Sequence, residues 1–202
     1  MTSDPLLDEA LRVVEADPEG HLRLALRRRI RRRFGPVLGV ANGGPTDGLR
    51  GVVQLSWLAA ERVQRHWEAG TGGDGGFGRM LDLAGEVLAG TAQPEQAERE
   101  VDRFELVADD LMGPGGPLRA GLAGLAAAKL VSLVLWGDYG EDVAADADDE
   151  DLDSDAWETD FLASLAESST PDQPDYDPEA RRAFWRWYLR EAVPSIGQDR
   201  HR

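Results

Sequence analysis

The chain contains no cysteine, so disulfides, thiol nucleophiles and zinc–thiolate sites are all excluded. Lysine is almost absent as well. Lys129 is the one lysine among 22 basic residues, a bias that, with abundant Ala, Gly, Asp and Leu, matches a high-GC coding composition better than a binding signature. Histidine occurs only at His21, His66 and His201, and neither His-Glu-x-x-His nor Glu-x-x-His spacing is present. The common helical metal-ligand patterns are therefore missing. No segment shows the period-two alternation of a strand. Long apolar runs are lacking too. The most apolar stretch, "AGLAGLAAAKLVSLVLW" (120–136), is rich in Ala and Gly with a lysine inside it. It is too short and too weakly apolar to span a bilayer and reads as a buried core helix. The opening "MTSDPLLDEALRVV" is acidic where a secretory leader is basic, and the expected location is the cytoplasm.

What the chain has in excess is acid: 38 Asp and Glu against 22 bases, a formal charge of −16. Such a field disfavours nucleic acid and anionic membrane as partners and favours basic proteins. With 202 residues the chain is long enough to bury a substantial core as one domain. The expected domain spans 1–196, with "GQDRHR" (197–202) as a frayed tail.

Helix signals recur along the chain. Asp4-Pro5 and Asp17-Pro18 each combine an N-cap with proline at the first helical position, predicting helices over 5–16 and 18–34, the second closed by Gly35-Pro36. A long helix follows over 49–69, then a Gly-rich loop over 69–76, and helices over 77–89, 94–112 and 116–137. Residues 138–153 are expected to form an acidic loop, with Ser154 capping a short helix to 167. Asp177-Pro178 precedes a last helix that Pro194 is expected to end. The sum is an all-α, single-domain bundle of seven or eight helices with no sheet.

In the last helix, "RRAFWRWYLREAVP" (181–194), Phe184, Trp185, Trp187, Tyr188 and Leu189 cover more than half the circumference. Arg182, Arg186 and Arg190 take the opposite side. So wide an apolar arc suits a helix wedged between several neighbours, and the aromatics are expected to form a central packing post. Arg181 and Glu191 intrude into that arc. In "LRLALRRRIRRRF" (22–34), Leu22, Leu26, Ile30 and Phe34 form a buried stripe and most of the arginines are expected to face water. Arg29 and Arg33 fall on or beside the stripe. An unpaired buried charge is costly, so Arg29 or Arg33 is expected to pair with Glu191 and lock the second helix to the last one.

Twelve acids and no base lie between Asp138 and Asp160. Asp149, Asp151, Asp153, Asp155 and Asp160 fit positions of a calcium loop, but Ser154 stands where glycine is needed. A solvated, partly disordered acidic loop is the commonest reading, and the alternative is an acidic face for a basic protein, with Asp146, Asp148, Asp149, Glu150, Asp151 and Asp153 as partner contacts. Glu98, Asp102, Glu105 and Asp109 line one helix face, and without a histidine they read as surface rather than a carboxylate-metal enzyme site. "GTGGDG" (70–75) matches G-x-G-x-x-G in letters only, since no strand precedes it. No catalytic residue, cofactor or metal is expected.

Three stretches together resemble a known family. They are "LRLALRRRI", then "LAAERVQRHWEAGTGGDGGFGRMLDLAGEVLAG" (58–90), then "FWRWYLREAVP", an aromatic run followed by Glu-Ala-apolar-Pro. Their order and spacing resemble the fifth numbered immunity-protein family of bacterial polymorphic toxin systems over about residues 20–196. The loop after Trp67 lacks the proline of that pattern, and the acidic stretch is longer than the pattern needs. The resemblance implies an all-α, non-enzymatic inhibitor that binds a co-encoded toxin domain. The alternative is a helical scaffold or regulatory protein with a different partner.

Overall fold

The helices start where a side chain or a proline takes over the orphan N–H groups of the first turn. In a computed structural model of the chain, which describes residues 4–137, 149 and 152–198, α1 (Pro5–Ala16) is capped by Asp4, which accepts from the Leu6 amide at 3.1 Å. Thr46 caps the long α3 (Asp47–Thr71) by accepting from Leu49 N–H at 3.2 Å. α5 (Pro94–Met112) opens with proline, and Asp177 caps α8 (Pro178–Trp187) through the Glu179 and Ala180 amides. Between them lie α2 (Leu24–Arg31), α4 (Gly76–Leu88), α6 (Leu118–Trp136) and α7 (Thr159–Ser168). α8 runs through a π-helical turn (Tyr188–Ala192) into α9 (Val193–Gln198). The fold is all-α, with no strand among the described residues.

α6 is the centre of the bundle and packs against α3, α4, α5 and α7. Against the sequence expectation, the 19-residue helix is long and apolar enough to cross a membrane, but 67% of its most apolar window is buried inside the molecule, as the expected core helix would be. Its small residues let neighbours approach closely. A Cβ on Gly121 would stand 2.6 Å from the Ala108 carbonyl oxygen, and one on Gly124 would stand 2.7 Å from the Trp67 ring. Gly121→Val is therefore expected to destabilise the fold by about 1–3 kcal/mol, read as a lower urea midpoint at unchanged slope, because the obstacle is backbone that cannot rotate away.

Phe184, Trp185 and Tyr188 are buried in one aromatic cluster, with ring centroids 5.0 Å apart for Phe184–Trp185 and 5.3 Å for Trp185–Tyr188. Trp187 is half-buried and carries the Arg62 guanidinium 4.4 Å from its ring.

Four expectations need correction. The second helix begins at Leu24, not at Pro18. The Asp17 carboxylate does accept amide hydrogens, from Glu19 at 2.9 Å and His21 at 3.1 Å, but it closes a turn in which Gly20 sits at φ +66. Pro194 does not end the last helix. The π turn widens the coil before it, with Val193 N–H bonded to Tyr188 C=O, and so relieves the clash that proline makes with the carbonyl four residues back. Helix α9 then continues to Gln198, so only residues 199–202 of the expected tail lie beyond it, outside the described residues. α7 begins at Thr159 rather than Ser154, which belongs to a short 3-10 turn. Most of the expected acidic loop, 138–148 with 150 and 151, lies outside the described residues.

Candidate functional site

The arginines of α2 do not all face water. Arg27, Arg28 and Arg31 are buried, on the side adjoining the Leu26–Ile30 stripe. They meet carboxylates from the segment that precedes and opens α7. Arg27, fully buried, donates to both Asp149 oxygens at 2.5 and 2.8 Å and to the Leu22 carbonyl at 2.9 Å. Arg31 bridges Glu158 at 2.7 Å and Asp160 at 2.9 Å. Tyr188 reaches in from the last helix and donates its hydroxyl to Asp160 at 2.7 Å. The Arg27 guanidinium also lies over the Phe161 ring at 5.2 Å and the Trp185 ring at 5.7 Å.

His21 completes the cluster. Its Nε2 is 3.0 Å from Asp149 and its Nδ1 is 3.0 Å from Arg181 Nη2. A guanidinium only donates, so Nδ1 accepts and Nε2 carries the hydrogen toward Asp149. Burial pushes the Asp149 carboxyl up, but the Arg27 charge and hydrogen bonds, with His21, outweigh it and hold the group well below the usual carboxylate range. Burial and the nearby Asp160 push the Tyr188 phenol well above its ordinary value. A second cluster ties α3 to α7. Glu167 receives Arg65 and, at 3.2 Å, His66, which overcome the effect of burial and lower its pKa.

These groups make the fold sensitive to acid. Asp149 and Glu167 titrate lower in the folded chain than in the unfolded one, so the unfolded state takes up protons first as pH falls. Their stabilisation is whole above about pH 5 and is lost below about pH 4, as the folded-state values are approached. The urea midpoint is expected to fall steadily between pH 5 and pH 3. A midpoint unchanged over that interval would contradict the pairing.

Several predicted site residues are placed otherwise than expected. Arg29 pairs with Glu9 at 2.9 Å and so ties α2 to α1, while Arg33, in the 3-10 turn that follows α2, pairs with the N-cap Asp4. Glu191 is exposed and meets neither. The π turn shifts the phase of the last helix at that position, which carries Glu191 out of the apolar arc. Asp149, expected on a partner-facing surface, is 1% exposed because Arg27 draws it inward. Asp153 is exposed, while Asp146, Asp148, Glu150 and Asp151 lie outside the described residues. For the calcium-loop pattern, Asp149 and Asp160 are turned onto arginines that a cation would have to displace. No group of three His, Asp or Glu side chains suited to a metal occurs among the described residues.

The outward-facing feature is α5. Glu98, Asp102, Asp109 and Asp110 are exposed along it, and between them Leu106 and Val107 stand 66% and 49% exposed. Beside this stripe, a cavity of about 450 Å³ opens between α5, α6, α2 and residues 153–159. Its lining includes Glu98, Asp102, Asp153, Trp136 and Trp157. Lys129 and Glu105, also in the lining, pair with each other at 3.0 Å.

The sequence matches a family model described as Immunity protein Imm5 over residues 7–195. No curated protein matches the chain.

Proposed function

This chain belongs to the Imm5 immunity-protein family, and on that premise we propose that it neutralises a co-encoded toxin domain by stoichiometric binding, without catalysis. The observation that carries this reading is the outer face of α5, where exposed Leu106 and Val107 stand beside Arg103 and among the unpaired carboxylates Asp102, Asp109 and Asp110. A buried apolar centre within a polar rim is the usual anatomy of a protein contact. Acidic rims speed encounter with a basic partner, and a toxin that acts on nucleic acid is basic where its substrate binds. The polar groups of the interior support the same reading. Arg27, Arg31, Asp149, Asp160 and His21 are engaged with one another, and the Ser164 and Ser168 hydroxyls donate to backbone carbonyls, so none of these makes a nucleophile–base pair open to a substrate.

The contact surface we assign is α5 together with Asp153, and the partner role expected of Asp146, Asp148, Glu150 and Asp151, which lie outside the described residues, is kept as part of the proposal. The ion pairs hold Asp149, Glu158 and Asp160 to α2. Co-expression tests this. Cells producing the toxin domain encoded beside this chain are expected to survive when the chain is co-produced, and to die when it carries Leu106→Arg and Val107→Arg. Death with the unaltered chain would refute the proposal, and survival with the double variant would refute the assigned face.

A further inference from the structure

The cavity beside α5 has a composition that selects one kind of visitor. Three carboxylates of its lining, Glu98, Asp102 and Asp153, are exposed and make no ion pair or side-chain hydrogen bond among the described residues. Its three cations are already matched: Lys129 by Glu105, and Arg28 and Arg31 by Glu158. The cavity therefore presents uncompensated negative charge at its mouth. Trp136 and Trp157 form part of its wall, both half-buried. Trp157 is held in place by its indole N–H bond to the Asp149 carbonyl at 3.3 Å and by edge-on packing against Phe161 at 5.2 Å.

Carboxylates beside indole faces suit a guanidinium better than an ammonium. The guanidinium is planar, stacks on aromatic rings, engages a carboxylate through two parallel N–H bonds, and loses less hydration on entry. A volume of about 450 Å³ holds one such side chain with its methylenes along the apolar wall. We propose that this cavity is the anchor pocket of the contact surface and receives an arginine side chain of the toxin. The assignment deepens the immunity reading and rests on it for the identity of the partner. It also places Asp153 as a direct contact and gives Asp149 and Arg27 a positioning role, since they hold Trp157 and the 153–159 segment in the wall.

Two measurements separate this pocket from the immunity reading itself. In the first, the purified chain is titrated with the neighbouring toxin domain. A Glu98→Gln, Asp102→Asn, Asp153→Asn variant is expected to bind at least about 30-fold more weakly than wild type. A control with the same charge change elsewhere on the surface, Glu61→Gln, Asp82→Asn, Asp172→Asn, is expected to stay within about threefold of wild type, the size of a general charge effect. In the second, N-acetyl-arginine methylamide is added to the chain alone while the tryptophan indole resonances are followed. The Trp136 and Trp157 signals are expected to shift in a saturable way in wild type and not in the pocket variant, and the lysine analogue is expected to shift them less. Equal toxin binding by the two variants would overturn the pocket and leave the immunity reading standing. Saturable arginine shifts without toxin binding would uphold the pocket as a guanidinium site and remove the toxin as its occupant. Unmoved indole signals with the arginine probe would overturn it.

Discussion

Arg27→Ala is expected to lower the stability of the fold by about 3–5 kcal/mol, enough to leave a marginal domain largely unfolded at 37 °C. The reason is what remains rather than what is lost. Asp149 is 1% exposed, so removing the guanidinium leaves its carboxylate buried with His21 but without the arginine that neutralises it, whereas Asp160 keeps Arg31 and Tyr188. Asp149→Ala should be nearly as damaging, because Arg27 is fully buried and would keep only Glu158, the Leu22 carbonyl and the more distant Asp160. Arg27→Met combined with Asp149→Leu should recover much of either loss, since it removes both charges and keeps the volume. Urea denaturation of the two alanine variants and the apolar pair checks this. Losses that simply add, with no rescue in the apolar pair, would show that the pair contributes net stability rather than mutual necessity.

The association rate with the toxin is the second large effect. Neutralising Asp109 and Asp110, the exposed α5 acids outside the pocket lining, is expected to slow association about tenfold at low salt, and to flatten its dependence on ionic strength. Dissociation should change less, because exposed rim charges act mainly on encounter. Leu106→Ala should behave in the opposite way, since Leu106 is 66% exposed in the free chain and its burial would act in the bound state. It is expected to speed dissociation with little effect on association. Stopped-flow measurements across salt concentrations separate the two. A wild-type association rate indifferent to salt would refute the acidic contact.

Much of the fold was legible from local signals. Pro94 opening a helix that closes at Met112, and Asp177-Pro178 starting the last helix, are start signals that act within one turn and need no tertiary partner. The aromatic stretch was legible as buried because its apolar arc was too wide for a surface helix, and Phe184, Trp185 and Tyr188 are buried. The candidate site was much less so. The amphipathic pattern of α2 assigned its arginines to water, yet Arg27 is paired with a residue 122 positions away. A helix packed on both sides, by leucine on one and by ion pairs on the other, has the same pattern as a surface helix. The acids that match these arginines sit in a run that composition alone assigns to solvent. One clue was available: Arg27, Arg28 and Arg31 face a single side, and a densely basic face in a chain of net −16 calls for an internal acidic partner. Pro194 failed as a stop because a π turn over Tyr188–Ala192 accommodates it, and start and stop signals read within one turn do not reveal such a widening.

The most direct test is a titration of toxic activity. The purified neighbouring toxin domain, held at a concentration far above its dissociation constant, is mixed with increasing amounts of this chain, and the residual activity is followed over time. Binding as proposed predicts a linear fall to zero at one equivalent, unchanged on longer incubation and reversed when the complex is denatured and the toxin refolded alone. Progressive inactivation by a small fraction of an equivalent would mean that the chain turns over the toxin or its substrate, and would contradict stoichiometric blockade.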